Sequence, residues 1–222
     1  STLMLNNPEF LIATFNRPNI TYEVRFKEQV PDSDVQGDIA RFLSKMKGQC
    51  GIIYCFKRTE CSEIAMYLKG KGFSIEAYHA GLKNDERSEI LQNWTEGKIH
   101  IVAATVAFGM GIDKADVRFV IHQTMPKSME SFYQESGRAG RDGKPSVSVL
   151  YYSEDDKSCH EFLMSKQEES FRKKMQETKG SIPQDDAVGK SRNASFHALV
   201  QMCESPKCRR RTILEFFGEF CK

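Results

Sequence analysis

The 222-residue sequence contains no long hydrophobic run and almost no excess of charge of either sign. The longest apolar stretch, residues 99–110, is interrupted by His100, Thr105 and Gly109, so it is too short and too polar to span a bilayer. The 32 basic and 30 acidic residues give a net charge of +2. We therefore predict no membrane partner, and any contact with nucleic acid would need a local basic face.

A secretion signal and an even set of cysteines are also missing. The opening residues, "STLMLNNPEF", have no basic region and only a weak apolar stretch. The seven cysteines are an odd number in a chain without a secretory signal. We expect reduced thiols in an intracellular protein, with some of them available as metal ligands.

The sequence has no complete P-loop, the G-x-x-x-x-G-K-[ST] motif that holds nucleotide phosphates. The segment "GKS" at 189–191 fails because Gln184 occupies the position of the first glycine. The segment "GKPS" at 143–146 fails because Arg138 stands at that position and Pro145 replaces the serine or threonine. No acidic "DExH"-like run is present either.

What is present, up to residue 152, is an alternation of strand-like and helix-like segments. The predicted strands are 51–55, 73–78, 99–105, 118–123 and 146–152, and the predicted helices are 59–71 and 84–94. This alternation predicts an α/β fold with a parallel sheet and helices on both faces. In such sheets ligands bind beyond the carboxyl ends of the strands.

The composition changes after Ser153. Residues 154–180 are charged and compatible with a helix, 178–195 are polar with Gly and Pro and predict a mobile linker, and 196–204 and 207–217 predict two short helices. The predicted organisation is a first domain at 1–160, a charged helix and flexible linker at 161–195, and a helical appendage at 196–222.

The segment "ATVAFGMGIDKADVR", residues 104–118, begins where a buried strand should end. Thr105 offers a hydroxyl, Gly109 and Gly111 free the backbone to approach a ligand, and Asp113 follows as a carboxylate. These groups suit a polyanion or a ribose. The alternative is a tight glycine turn with Asp113 as a cap.

The segment "SMESFYQESGRAGRDG", residues 128–143, combines a helix start with two arginines. Ser128 is a plausible N-cap. A helix that continued to about Ala139 would place three polar side chains on one face, namely Gln134, Arg138 and Arg141. The flat, permanently charged guanidinium groups suit bidentate phosphate recognition.

The glycines of this segment need their own explanation. Gly137 and Gly140 lie beside the arginine stripe, where missing side chains would let another surface come close. The alternative is that both arginines are surface groups paired with Glu135 and Asp142. That alternative leaves the glycines unexplained.

Two further segments follow predicted strands. In "YHAGL", His79 is either a structural hydrogen bonder or a catalyst. In "YCFKRTECSE", Lys57 and Arg58 stand at a strand-to-helix junction that Thr59 or Ser62 could cap. A helix N-terminus with nearby cations suits a phosphate, and a solvated cationic turn is the alternative.

Together these motifs resemble the RecQ family of superfamily 2 DNA helicases. The resemblance is carried by "QESGRAGRDG", "ATVAFGMGIDKADVRFVIH", "GIIYC" and "YHAGL", and "FNRPNITYEV" (15–24) looks like the beginning of the family's second motor domain. It covers about residues 10–152, and the variants look most like the Bloom-type and plant members.

The resemblance implies a RecA-like second lobe whose arginines face an ATP cleft. Arg141 matches the arginine finger, Arg138 a second phosphate contact, and Gln134 the same motif. Asp113 matches the ribose contact, with Gly111 beside it. The positions that would grip single-stranded DNA are Thr105, Lys57, Arg58 and His79.

The resemblance also implies partners and cofactors. The whole enzyme would unwind DNA 3′ to 5′ in the nucleus, using ATP and Mg²⁺ held mainly by the first RecA-like lobe, with repair and recombination proteins as possible partners. The segment "CRRRTILEFFGE" looks like the start of the family's zinc-binding subdomain, with Cys208 as first ligand. Only Cys221 follows it, so these residues do not supply the four ligands of a complete site for Zn²⁺.

Two other functions remain open at this stage. An RNA helicase lobe would share the arginine motif, although the cysteine-containing tail and "AFGMGID" argue against it. A non-catalytic module that binds DNA or protein partners would not need phosphate-facing arginines. In either helicase case the 222 residues alone are expected to be inactive.

Overall fold

The computed structural model describes residues 14–106, 108, 113–179 and 187–220. Its centre is a six-stranded sheet with the order β1-β6-β5-β2-β4-β3. The strands are β1 (Ile20–Phe26), β2 (Cys50–Tyr54), β3 (Ile75–Tyr78), β4 (Ile101–Ala104), β5 (Val117–His122) and β6 (Ser146–Tyr152). Every neighbouring pair is parallel, which confirms the predicted fold class.

Helices cover both faces of the sheet; the first four lie between strands along the chain, and the last three follow β6. They are α1 (Val35–Lys45), α2 (Arg58–Gly70), α3 (Asn84–Thr95), α4 (Met129–Ser136), α5 (Glu154–Lys179), α6 (Ala187–Glu204) and α7 (Arg209–Phe216). Parallel strands need such crossover connections because the chain must return to the same end of the sheet each time.

One face of the sheet is packed by α1 and α2. The predicted apolar stripe of α2 is fully confirmed, since Cys61, Ile64, Ala65 and Leu68 are all buried against the strands. Alternate strand residues such as Ile53 point to the same cluster, as the period of two in a strand requires.

The opposite face holds two further clusters. Trp94 of α3 packs with Phe108 near the middle strands, with ring centroids 5.4 Å apart. At the β1–β6 end, α4, α6 and α7 share a core with Leu150 and Tyr152. The C-terminal helices are therefore packed against the sheet domain rather than held apart from it.

The structure corrects two boundary predictions. The linker expected at 178–195 is wrong for its second half, because α6 already begins at Ala187. The helix expected to reach Ala139 ends at Ser136 with Gly137 as its C-cap, so Arg138 and Arg141 lie in turns rather than on a helix face. The division at 160/161 and 195/196 stays a prediction; both points lie inside continuous helices.

His160 on α5 gives a testable pH dependence. Its ring is 4% exposed, and Nε2–H donates to the Met125 carbonyl at 2.8 Å. Burial lowers the pKa of His160 below its ordinary value. The unfolded chain therefore binds a proton more readily, and we expect the free energy of unfolding to fall as the pH drops below about 6.5.

The measurement is urea denaturation at several pH values. His160→Gln keeps a hydrogen-bond donor but does not titrate, so its stability should change less between about pH 7.5 and pH 5.5 than that of the parent chain. His197→Gln is the matched control because His197 is exposed. Equal pH slopes for the parent and His160→Gln would refute the assignment.

Candidate functional site

The four residues predicted to grip a single strand follow three neighbouring strands. Tyr54, Ala104 and Tyr78 end β2, β4 and β3 in register with one another. Lys57 and Arg58 follow β2, Thr105 follows β4, and His79 follows β3. The structure therefore brings the four to one carboxyl edge of the sheet, as the parallel topology predicts.

Lys57 and Arg58 are exposed where α2 begins. The cap of this helix differs from the prediction, because Glu60 rather than Thr59 or Ser62 accepts the backbone N–H groups. Its Oε2 accepts from Phe56 at 3.0 Å and from Lys57 at 3.2 Å. Two cations and a helix N-terminus thus face solvent together, which suits a backbone phosphate.

His79 is more enclosed than its neighbours at this edge. Its ring is 9% exposed, Nδ1 accepts from the Gly81 N–H at 3.2 Å, and Nε2 lies 3.3 Å from the Ser62 hydroxyl on α2. These contacts match the structural alternative for His79. A direct contact with nucleic acid stays a prediction for this residue.

The predicted phosphate-facing residues lie elsewhere. We call residues 137–143, "GRAGRDG", the arginine turn. Its Gly140 N–H donates to the Val117 carbonyl at 2.8 Å, and its Asp142 N–H donates to the Ala115 carbonyl at 3.2 Å. Val117 starts β5, so the arginine turn lies at the amino edge of the sheet, opposite the Thr105 edge. The rule that ligands gather at carboxyl ends does not hold for this part of the predicted site.

Arg141 and Asp113 meet at this amino edge. Arg141 Nη1 lies 2.7 Å from Asp113 Oδ1, with the two side chains 36% and 87% exposed. The finger candidate and the ribose candidate are therefore neighbours, and both are open to solvent. Gly111, the third predicted nucleotide contact here, lies outside the described residues.

The carboxylates proposed as structural partners of the arginines have other contacts. Glu135 lies 2.8 Å from His122 Nε2 in a buried pair, and Asp142 binds Arg118 at 2.6 Å. The hydrogen bond from Arg118 lowers the pKa of Asp142. The structure thus gives His122 as a partner of Glu135 and Arg118 as a partner of Asp142.

Arg138 is half-buried, and its side chain extends from the arginine turn to the Tyr54 phenol. Burial raises the pKa of the Tyr54 phenol, and the charge of Arg138 opposes that rise. The Tyr54 hydroxyl donates to the Phe108 carbonyl at 3.0 Å. Gln134, by contrast, is exposed in the last turn of α4. The three predicted motif residues therefore lie in different environments.

Contacts within the chain explain Gly140 of the arginine turn. Gly140 has φ of +58°, and a Cβ atom there would lie 2.4 Å from Asn19 Nδ2 and 2.7 Å from Ser146 Oγ. The surface that approaches this backbone so closely is the segment before β1, not a ligand. The missing side chain of Gly140 thus allows a close approach, as predicted, and the groups that approach belong to this same chain.

Arg17 is a functional candidate that the sequence analysis missed. Its guanidinium group donates to the carbonyls of Gly137, Ala139 and Gly140 at 3.0, 2.9 and 3.0 Å. Asn19 adds a bond to the Gly140 carbonyl at 2.8 Å. The available signal was the "FNRPN" segment, where an arginine and an asparagine flank a proline, but nothing local pointed to contacts 120 residues away.

The zinc prediction has little support in the described part of the chain. Cys208 is exposed and stands before α7, whereas Cys221 lies outside the described residues. Burial raises the pKa of the Cys203 thiol to about 12, and this side chain packs in the apolar core at the β1–β6 end. Within residues 14–106, 108, 113–179 and 187–220, no group of three or more His, Cys, Asp or Glu side chains is arranged to hold a metal.

Two family models match this chain. The helicase conserved C-terminal domain matches residues 35–143, and the RecQ zinc-binding family matches residues 154–222. The first contains the carboxyl-edge residues and the arginine turn, and the second contains α5, α6 and α7. In the described part of the chain no helix has the length and apolar character needed to cross a membrane.

Curated relatives agree with these matches. The chain is 43% identical to rat ATP-dependent DNA helicase Q5, over 94% of this chain and 22% of that protein. It is 40% identical to ATP-dependent DNA helicase hus2/rqh1 of Schizosaccharomyces pombe, over 99% of this chain and 15% of that protein. The chain thus spans less than a quarter of the length of either relative.

A solved structure supports the fold independently. A DEAD box protein from Methanococcus jannaschii superposes with a TM-score of 0.54 at 25% identity, over 68% of this chain and 40% of that one. The sheet with its flanking helices is therefore RecA-like. Motifs, fold and both family matches agree, and this chain belongs to the RecQ helicase family, whose helicase C-terminal region it carries.

Proposed function

We propose that this chain is the second motor lobe of an ATP-dependent DNA helicase that unwinds duplexes 3′ to 5′. The observation that carries the proposal is that Arg141 lies beside Asp113 and that both side chains are exposed. Arg141 belongs to the arginine turn, whose backbone is bonded to Arg17 and Asn19. A cation on a rigid, solvent-facing turn can meet an anion on a second domain without first ordering its own backbone.

The chemistry at this edge would be electrostatic. Arg141 would leave Asp113 and donate to the γ-phosphate of ATP, where charge develops as the phosphoryl group is transferred. Arg138 would make a second phosphate contact, Gln134 would face the same cleft, and Asp113 would then be free to accept from the ribose hydroxyls. ATP and Mg²⁺ would be held mainly by a first RecA-like lobe, because these 222 residues contain no P-loop.

The opposite edge would grip DNA. Lys57, Arg58 and Thr105 follow adjacent β-strands. Single-stranded DNA that crossed the ends of these β-strands would meet two cations and a hydroxyl group, with His79 next to them. Because the two edges belong to one rigid sheet, closure on ATP at the arginine turn would carry the DNA-gripping edge with it. Such coupling of hydrolysis to strand movement is the proposed motor step.

The first test is ATP hydrolysis. The isolated chain should show no ATPase activity above background with saturating single-stranded DNA, because it offers arginines without a phosphate-holding loop. The complete protein should hydrolyse ATP and unwind DNA duplexes that carry a 3′ single-stranded tail. Turnover by the isolated chain, or a preference for RNA duplexes or 5′ tails, would contradict the proposal.

The DNA-gripping edge predicts a salt dependence. Replacing Lys57 and Arg58 together by alanine should weaken binding of single-stranded DNA and reduce the slope of log K against log salt by up to about 1.4, which is about 0.7 per lost phosphate contact. Arg41 and Lys45 supply a control pair of exposed cations in the second half of α1. An unchanged slope would show that these cations do not touch phosphates.

The remaining parts of the proposal concern the complete protein. Action on DNA in recombination and repair would place it in the nucleus, among repair proteins. Zn²⁺ would be bound by Cys208 together with further ligands of the zinc-binding family region. Immunofluorescence of the complete protein and metal analysis of the purified enzyme test these two points.

A further inference from the structure

We propose that Arg17 and Arg210 are positioning residues that connect the C-terminal helices to the arginine turn. This inference rests on the proposed function, because the turn matters for activity only if Arg141 acts on ATP. Arg17 lies just before β1 and Arg210 lies on α7. Both residues bind backbone carbonyls, and we infer that they act on Arg141 through the geometry of that backbone.

The first link is between Arg17 and the arginine turn. One guanidinium group binds three carbonyls within four consecutive residues, those of Gly137, Ala139 and Gly140. The planar fork of arginine fixes the directions of its donors, so the three carbonyls are held in one arrangement. Arg141 follows Gly140 directly, and its starting direction is therefore set by this contact.

The second link is between Arg210 and the segment that carries Arg17. Arg210 donates to the carbonyls of Arg17 and Ile20, the latter at 2.7 Å, and to Asn16 Oδ1 at 3.2 Å. Its guanidinium group also lies over the Tyr22 ring at 5.7 Å. One side chain of α7 therefore binds the backbone at Arg17 and Ile20 and the side chain of Asn16.

Packing around Phe15 strengthens the same connection. The Phe15 ring stacks on Phe217 just after α7, with centroids 4.6 Å apart and planes 8° apart. The Tyr133 hydroxyl of α4 donates to the Phe15 carbonyl at 2.8 Å, and Glu219 accepts the Phe15 N–H at 2.7 Å. The segment therefore contacts both α4, which leads into the arginine turn, and the residues that follow α7.

This arrangement has a functional consequence. A shift of α7 would move the backbone at 16–20, and Arg17 would transmit that shift to three carbonyls of the arginine turn. Displacements of about 1 Å at a catalytic group can cost on the order of 10²-fold in rate. The zinc-binding family region would therefore control ATP hydrolysis through these two arginines, without contacting ATP.

The test uses the complete helicase and three variants. Arg17→Lys and Arg210→Ala should lower kcat for DNA-stimulated ATP hydrolysis by about 10- to 100-fold while KM for ATP changes little. Arg211→Ala is the matched control, since Arg211 is on the same helix and pairs with Glu215 at 2.7 Å. Arg210→Lys, which keeps the charge, replaces Arg210→Ala if that variant is poorly folded.

Two measurements distinguish misplacement of Arg141 from a general loss of protein structure. Affinity for a transition-state analogue, MgADP with aluminium fluoride, should fall by about the same factor as kcat, whereas affinity for ADP should not. In an Arg141→Ala background, Arg17→Lys should cause little further loss, because the group that it positions is gone. Equal losses in both backgrounds, or loss of ADP affinity, would overturn the inference.

Failure of this inference differs from failure of the proposed function. If Arg141→Ala lowers kcat but Arg17→Lys and Arg210→Ala do not, the connection is wrong and the finger assignment stands. If Arg141→Ala leaves kcat unchanged, the proposed function of the arginine turn fails first. Each outcome is read in the same ATPase assay.

Discussion

Replacing Arg141 by alanine in the complete enzyme should lower kcat for ATP hydrolysis by about 10³-fold or more, with a smaller effect on ATP binding. The reason is that a finger contacts charge that develops as the γ-phosphoryl group is transferred, so its loss raises the barrier more than it weakens the ground state. Arg141 is 36% exposed at the amino edge of the sheet, where its guanidinium group is accessible to a second domain.

The measurement is steady-state ATPase activity with saturating single-stranded DNA, together with nucleotide affinity. Arg41→Ala is a suitable control, because Arg41 is also an exposed arginine that pairs with a carboxylate, Asp38, at 3.3 Å. Asp113→Asn gives a second comparison and should raise KM for ATP more than it lowers kcat, as expected for a ribose contact. An unchanged kcat for Arg141→Ala would refute the finger assignment.

Local patterns predicted most of the sheet domain correctly. The apolar stripe of α2 and the β-branched run of β6 define their own elements, and the observed bounds differ from the predicted ones by one residue or less. These segments are predictable because their burial follows directly from periodicity along the chain. Lys57, Arg58, Thr105 and His79 follow strands that periodicity also predicts, whereas their contact with DNA stays a prediction.

The ends of two helices were not predictable from periodicity. In α4 the polar pattern continues past Ser136, but Gly137 caps the helix. The next two residues make only short turn bonds back to Glu135 and Ser136, and the Gly140 N–H then bonds to Val117 of β5. In α6 the first turns look like linker, with Gly189 among polar residues. That helix forms because Phe196, Leu199 and Met202 pack into the core at the β1–β6 end, and packing of this kind overrides local propensity.

The position of the arginine turn depended on contacts that are distant in sequence. Gly140 bonds to Val117, and Arg17 reaches across 120 residues to Gly137. Neither contact leaves a periodic signal, so the sequence indicated phosphate-facing arginines without indicating the sheet edge that holds them. The spacing of the glycines is visible in the sequence. The need for glycine at Gly140 follows only from the fold, which brings Asn19 within 2.4 Å of the position that a Cβ atom would take.

Gly140 offers the sharpest test of how this turn is built. Replacing Gly140 by alanine should lower the free energy of unfolding by about 2–5 kcal/mol, the sum of about 1–2 kcal/mol for a left-handed conformation and about 1–3 kcal/mol for overpacking. The second part arises because the new Cβ would lie 2.4 Å from Asn19 Nδ2 and 2.8 Å from the Lys144 carbonyl oxygen.

Gly143→Ala is the matched control, three residues further along the same turn. Gly143 has φ of +78°, but a Cβ atom there would meet nothing within 4 Å, so this variant should show the conformational cost alone. Urea denaturation gives the free energy of unfolding of both variants. The difference between their losses is the cost of the close contacts at Gly140 with Asn19, Lys144 and Ser146. Equal destabilisation would mean that Asn19 and Ser146 move aside freely, and the arginine turn would then be less rigid than its bonding to Arg17 and Asn19 requires.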